Sequence, residues 1–228
     1  MKVKSLIATS VLAASAVVST AAMAESEFTG NLGLTSNYIW RGITQTDDQA
    51  AIQGGIDYGY EGFYAGAWAS NVTWTDPDGY EIDLYAGYGF DLGETSWDIG
   101  YISYMYPVGD EENDFGEAYL NFGWKWLSAG VAYTVSKEVS TDYENDIYLY
   151  VAGEWEVGKS GLALGALYGD YDFDDPTWTD YAHYQVYLTK DDFTFALDQN
   201  DLDEAVPGDG TDDMRFTVSY SKSFDFLK

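Results

Sequence analysis

The sequence predicts an all-β chain folded as an antiparallel up-and-down β-barrel of about twelve strands, and three observations carry that prediction. Side chains alternate with a period of two almost throughout, one of the alternating phases is free of charge, and the links between strands alternate between long and short. No stretch repeats at the helical period of 3.6 residues.

Residues 1–24 form an export signal peptide rather than a structural element. Lys2 and Lys4 start it, an apolar stretch follows from Leu6 to Ala22, and Ala22-Met23-Ala24 makes a small-x-small cleavage site. The barrel is assigned to 25–228, and loss of the two lysines takes the formal charge from −29 to −31.

Strands are then read in order. The first, near 28–41, carries Leu32, Leu34, Tyr38 and Trp40 on one phase. The second, 50–61, sets Ile52, Ile56, Tyr58 and Tyr60 against Gln53, Asp57 and Glu61. After a third at 63–74, the fourth, 80–91, sets Tyr80, Ile82, Leu84, Tyr88 and Phe90 against Glu81, Asp83 and Asp91. The pattern continues near 95–106, 115–124, 126–136, 145–156, 161–171, 180–190, 192–200 and 213–224. Its apolar phase meets no charge before Lys222.

Links after odd-numbered strands are long or polar (42–49, 75–79, 107–114, 137–144, 172–179, 201–212). Those after even-numbered strands are tight, among them Gly62, Leu92-Gly93-Glu94, Lys125 and Asp191. Outer-membrane barrels have this asymmetry, with short periplasmic turns and longer outer loops. The polar phase is rich in small residues, such as Ser128, Gly130, Ala132, Thr134 and Ser136, which suits a narrow wet lumen better than a soluble surface. The charge-free phase then faces lipid, and the barrel is transmembrane. Aromatic girdles are expected at a periplasmic end (Phe28, Tyr58, Tyr60, Phe90, Trp97, Trp124, Trp155, Phe193, Tyr220) and at an outer end (Trp40, Trp74, Tyr80, Tyr168).

Composition narrows the function. Of 228 residues, 46 % are hydrophobic and 18 % aromatic, too many for a disordered acidic tail. With 10 Lys+Arg against 39 Asp+Glu, the chain cannot neutralise a run of phosphates, so nucleic acid is excluded as a general partner. The absence of cysteine removes disulfides, thiolate metal sites and cysteine nucleophiles.

The N-terminal half carries motifs with a family likeness: Leu34-Thr35-Ser36-Asn37-Tyr38-Ile39-Trp40-Arg41-Gly42-Ile43-Thr44-Gln45, Gln53-Gly54-Gly55-Ile56-Asp57-Tyr58, 62–71, 82–88 and Trp97-Asp98-Ile99-Gly100-Tyr101. In these the chain resembles the TorF-type porins, exported proteobacterial barrels. The resemblance implies a Gram-negative outer-membrane location, a porin-like role, and outer-membrane lipid and the barrel-assembly machinery as partners. Such barrels end on an aromatic residue recognised during assembly, whereas here Phe224 and Phe226 are followed by Leu227 and Lys228.

Candidate pore-lining residues are the charged and titratable members of the polar phase: Arg41, Asp57, Glu81, Asp83, Asp98, Glu117, Glu154, His183 and Arg215. Arg41 and Arg215 are expected to face carboxylates such as Glu81 and Asp83. The result is either a constriction that sets charge selectivity or an ion-paired plug. Asp110, Glu111, Glu112, Asp114, Asp172, Asp174 and Asp175 form an acidic mouth, either a cation-concentrating field or solvated loop surface. Divalent cations could meet these loops, but Asp170-x-Asp172-x-Asp174 departs from a calcium loop at Asp175 and Tyr181, and no metal site or cofactor is assigned.

The lone His183 has no assignable Ser or Asp partner, so no enzyme is expected. Asn71-Val72-Thr73 fits a glycosylation sequon and is read as the top of the third strand. The function expected is a channel for small hydrophilic solutes that prefers cations. The alternatives are a non-conducting structural or surface-binding barrel, and an exported soluble β-protein holding an apolar ligand.

Overall fold

A computed structural model describes residues 26–75, 77–108, 113–138, 144–202 and 212–227. The signal peptide and its cleavage site, and Asp110, Glu111 and Glu112 of the acidic mouth, lie outside the described residues. The strands are β1 (Glu27–Thr35), β2 (Ile39–Trp40), β3 (Ile43–Thr44), β4 (Ala51–Tyr60), β5 (Phe63–Val72), β6 (Gly79–Leu92) and β7 (Thr95–Met105). They continue with β8 (Phe115–Trp124), β9 (Leu127–Lys137), β10 (Ile147–Glu156), β11 (Leu162–Asp172), β12 (Tyr181–Lys190), β13 (Phe193–Asn200) and β14 (Arg215–Asp225). All but β2 and β3 join one closed antiparallel barrel of twelve strands, each paired with its neighbour in sequence and closed where β1 meets β14. Closure leaves no free sheet edge, which a strand inside a bilayer requires.

The first predicted strand needs correcting. It ends at Thr35 instead of running to 41, and residues 36–50 turn into the barrel, with β2 and β3 as a separate hairpin. Arg41 is therefore at a hairpin tip, and Trp40 is inside the lumen instead of in an outer girdle. Period two cannot distinguish a strand that continues from one that turns inward, because both keep the alternation.

Two faces follow from the pleat. Ile52, Phe63, Leu92 and Phe216 on the outer face are each more than 60 % exposed, and Leu32, Leu34, Ile56, Leu84, Ile99, Val151 and Val186 join them. An apolar band this extensive around a whole barrel has lipid as its complement. An apolar-ligand carrier would have the faces reversed, so this arrangement opposes the soluble alternative. At the end of the barrel with the tight turns aromatic rings pair round the wall: Phe63 on Tyr88, Tyr88 on Phe90, Trp97 on Phe122, Trp126 on Trp155, Phe193 on Tyr220 and Phe28 on Phe226. Phe226 also donates its backbone N–H to the Phe28 carbonyl at 2.8 Å, extending the closing seam past β14.

The small residues of the inner phase seat tyrosines. A Cβ on Gly66 would meet the Tyr85 ring at 2.5 Å, and Gly87, Gly100, Gly130 and Gly165 likewise lie under Tyr64, Tyr119, Tyr150 and Tyr187. Each glycine gives up side-chain packing of its own so that a neighbouring ring can lie flat on the inner wall. Gly66→Val is expected to unseat Tyr85 at a cost of about 1–3 kcal/mol. The readout is a lower urea midpoint for loss of the compact, heat-modifiable form, and an unchanged midpoint would show that the ring has another seat.

One bulge matters for the interior. The β8–β9 register slips between Gly116 and Glu117, which pair with Ser136 and Thr134, leaving Val135 as the extra residue. Beyond it the phase of β9 reverses. Ser136, expected on the inner phase, lies outside beside the Tyr101 hydroxyl, while Lys137 turns inward to Asp146. An extra residue on one strand flips every side chain after it.

Candidate functional site: an in-turned hairpin across the lumen

The hairpin turn is Arg41-Gly42, with φ of +48° and +81°. Two positive φ values make the tight turn whose twist matches paired strands, and glycine suits its second position. Ile39 pairs with Thr44 and Trp40 with Ile43. The base is fastened by Asn37, whose Nδ2 donates to Asp48 Oδ1 at 2.6 Å and whose Oδ1 accepts from Thr44 Oγ1 at 2.6 Å and Thr46 Oγ1 at 3.2 Å.

From there the hairpin reaches walls on opposite sides of the lumen. Tyr38, fully buried, donates to Glu81 Oε1 on β6 at 2.9 Å and packs edge-on against Trp68 of β5. Trp40 meets Tyr104, Phe115 and Tyr171 edge-on. The Arg41 guanidinium makes a bidentate pair with Glu117 on β8, at 2.7 and 2.6 Å, while lying 4.0 Å from the Tyr148 ring centroid and 4.3 Å from that of Trp40. Gly42 presses on His183 of β12 and accepts from Asn200 Nδ2 of β13 at 2.9 Å. Asp48 accepts from Arg215 Nε of β14 at 2.8 Å.

Arg41 and Glu117 retain 9 % and 1 % side-chain exposure. Such burial is tolerated only because two charge-assisted bonds and stacked rings replace the lost water. Arginine suits the position, with its planar fork matching a carboxylate and its flat face matching the rings.

The predicted partners change accordingly. Arg41 and Arg215 do not face Glu81 and Asp83; they take Glu117 and Asp48, because the hairpin carries Arg41 past β6 to the far wall. Glu81 serves Tyr38 instead. Asp83 is fully buried beside Glu81. Below the hairpin, Asp57 accepts from the Tyr85 hydroxyl, Asp98 from Tyr64 at 2.7 Å and Asn121 at 3.3 Å, and Glu154 from Tyr187. His183 is buried, with Nε2 2.9 Å from the Tyr148 hydroxyl. Tyr38, on the apolar phase by alternation, is instead a buried lumenal residue, and alternation does not mark it, Asn37, Asp48 or the lumenal tyrosines as site residues. The one usable signal was Trp-Arg-Gly-Ile, a two-residue turn with glycine second between apolar residues.

At the rim with the long links the acids act partly as caps. Asp114 accepts the Tyr106 N–H at 2.7 Å, Asp201 that of Ala182 at 2.7 Å, Asp180 that of Phe173 at 2.8 Å, and Asp146 that of Asp174 at 3.0 Å. Asp175 accepts the Thr177 N–H and hydroxyl, which hold its carboxyl below the usual carboxylate range. Asp172 is exposed and Asp174 bonds Asn145. Among the described residues no three His, Cys, Asp or Glu side chains are grouped to hold a metal ion.

Solved structures share the fold at low identity. One described as "Unveiling the Mechanism Behind the in-meso Crystallization of Membrane Proteins" is 13 % identical, with a TM-score of 0.54 over 89 % of this chain and 85 % of that one. "KdgM porin" is 11 % identical, with a TM-score of 0.54 over 88 % of this chain and 99 % of that one. No curated protein matches. The family model described as "Bacterial protein of unknown function (Gcw_chp)" matches residues 19–221, a span that takes in the in-turned hairpin and all but the end of the closing strand, and the chain belongs to that family.

Proposed function

We propose that this chain is a porin-like channel of the Gram-negative outer membrane, exported on a cleaved signal peptide, that passes small hydrophilic solutes with a preference for cations and carries out no catalysis. The observation that carries the proposal is a lipid-compatible outer face around a polar lumen narrowed by one hairpin. The TorF-type resemblance of the N-terminal motifs supports it. Lumenal carboxylates at Asp57, Glu81, Asp83, Asp98, Glu154 and Asp198 outnumber Arg41, Lys137 and Arg215, each of which is ion-paired. Their field, together with the acidic outer loops, favours cations. Lipid at the outer face, the assembly machinery at the C-terminal seam and divalent ions at the outer loops belong to the same proposal.

The non-conducting reading has one observation in its favour, that the hairpin is bonded to both sides of the lumen. Planar-bilayer recording under a salt gradient separates the two. Small conductance steps with a cation-selective reversal potential are expected. An anion-selective potential would refute the charge preference, and silence from a correctly folded, heat-modifiable barrel would favour the plug.

A further inference from the structure

Above the hairpin lies a cavity of about 860 Å³ at the outer mouth, within the range of about 300–1,000 Å³ usual for small-molecule sites. Its floor is Trp40 and Ile43 of the hairpin, and its walls include Trp74, Phe173, Trp178 and Tyr181. Trp74 and Trp178 keep 44 % and 53 % exposure, although water is a poor partner for an indole face. Tyr181 is 4 % exposed, and its hydroxyl has no hydrogen-bond partner among the described residues. A buried hydroxyl left unbonded beside a cavity is hydrogen-bonding capacity that a ligand seated there can use.

The charges in the wall restrict what that partner can be. Lys137 Nζ holds Asp146 Oδ2 at 2.7 Å, so the one is not free for an anion nor the other for a cation. The same ammonium lies 5.4 Å from the Trp178 ring centroid and 6.0 Å from that of Phe173, occupying the place an aromatic cage would offer a cation. Open aromatic faces remain, beside neutral donors and acceptors from Thr44, Gln45 and Asn113 and the exposed carboxylate of Glu138, which repels anions and accepts from hydroxyls. Flat apolar faces ringed by hydrogen-bonding groups, one of them a carboxylate, complement a molecule with an apolar C–H face and a rim of hydroxyls.

We infer that the outer vestibule binds neutral saccharides, with a sugar ring stacked on Trp178 or Trp74 and a sugar hydroxyl bonded to Tyr181. This rests on the channel reading in so far as it names a solute class, but binding itself needs no conduction.

Detergent-folded full-length protein is titrated with glucose, maltose and cellobiose, and with glucuronate, choline and indole as charged and aromatic comparators. Calorimetry and tryptophan fluorescence are the readouts. At least one neutral sugar is expected to bind with a dissociation constant of about 1 mM or tighter, ahead of all three comparators. Trp178→Ala and Trp74→Ala together should weaken binding about tenfold or more, and Tyr181→Phe by a smaller factor. The heat-modifiability of each variant shows that its barrel is intact. No sugar binding, preference for a comparator, or sugar binding unchanged in the folded double variant would each overturn the inference. Sugar binding with silent bilayers would uphold it against the channel, and conduction without sugar binding would do the reverse.

Discussion

Arg41→Ala is expected to release the hairpin and raise single-channel conductance severalfold without unfolding the barrel. The substitution strips Glu117 of its bidentate partner at a site with 1 % exposure, and breaking a buried pair in this way costs about 3–5 kcal/mol. Undocking relieves that cost by letting water reach Glu117. The twelve-strand ladder does not depend on the hairpin, so the heat-modifiable band should persist. Arg41→Lys keeps the charge but loses the fork and the stacking on Tyr148 and Trp40, so an intermediate conductance is expected. Arg41→Met with Glu117→Leu removes both charges and should return conductance towards the parent, since apolar replacement of a buried pair is often neutral. If Arg41→Ala leaves both conductance and thermal stability unchanged, the pair neither closes the lumen nor supports the fold.

Gly42→Val should open the lumen by a different route. At φ +81° a β-branched residue is strained, and its Cβ would lie 2.5 Å from His183 Cβ and 3.0 Å from Cγ. Left-handed strain of about 1–2 kcal/mol and overpacking of about 1–3 kcal/mol both act on the docked hairpin alone. A conductance rise comparable to that of Arg41→Ala is expected, again with the barrel intact. His183→Ala should not rescue it, because alanine keeps the atom that clashes, whereas His183→Gly should recover part of the effect and leave the backbone strain. Full rescue by His183→Ala would show that the contact is with the imidazole and that the seat of the turn is misplaced.

Arg41 stands in a stretch that the alternation assigns to the wall, and Gly42 in the loop read after it. The other barrel strands were legible because lipid and lumen impose opposite polarities on successive residues. The fourth predicted strand, 80–91, is observed as Gly79–Leu92, and the sixth, 115–124, as Phe115–Trp124. Asp57, Glu81, Asp98, Glu117, Glu154 and Arg215 were found on the polar phase by the same rule. Their partners could not be found so, because Tyr38 to Glu81 and Arg41 to Glu117 join positions far apart in the chain.

The sequence by itself determined the barrel, its strand number, the outward direction of its apolar face and the acidity of its loops, since each follows from local period and composition. Only the tertiary structure decided that residues 36–50 turn inward, that the inner glycines seat tyrosines, and that the β8–β9 bulge points Lys137 into the vestibule. The physical reason is that these depend on where a closed sheet brings opposite walls. A turn with two positive φ values, a bidentate ion pair and a ring lying on a glycine are satisfied only once the barrel has closed around them.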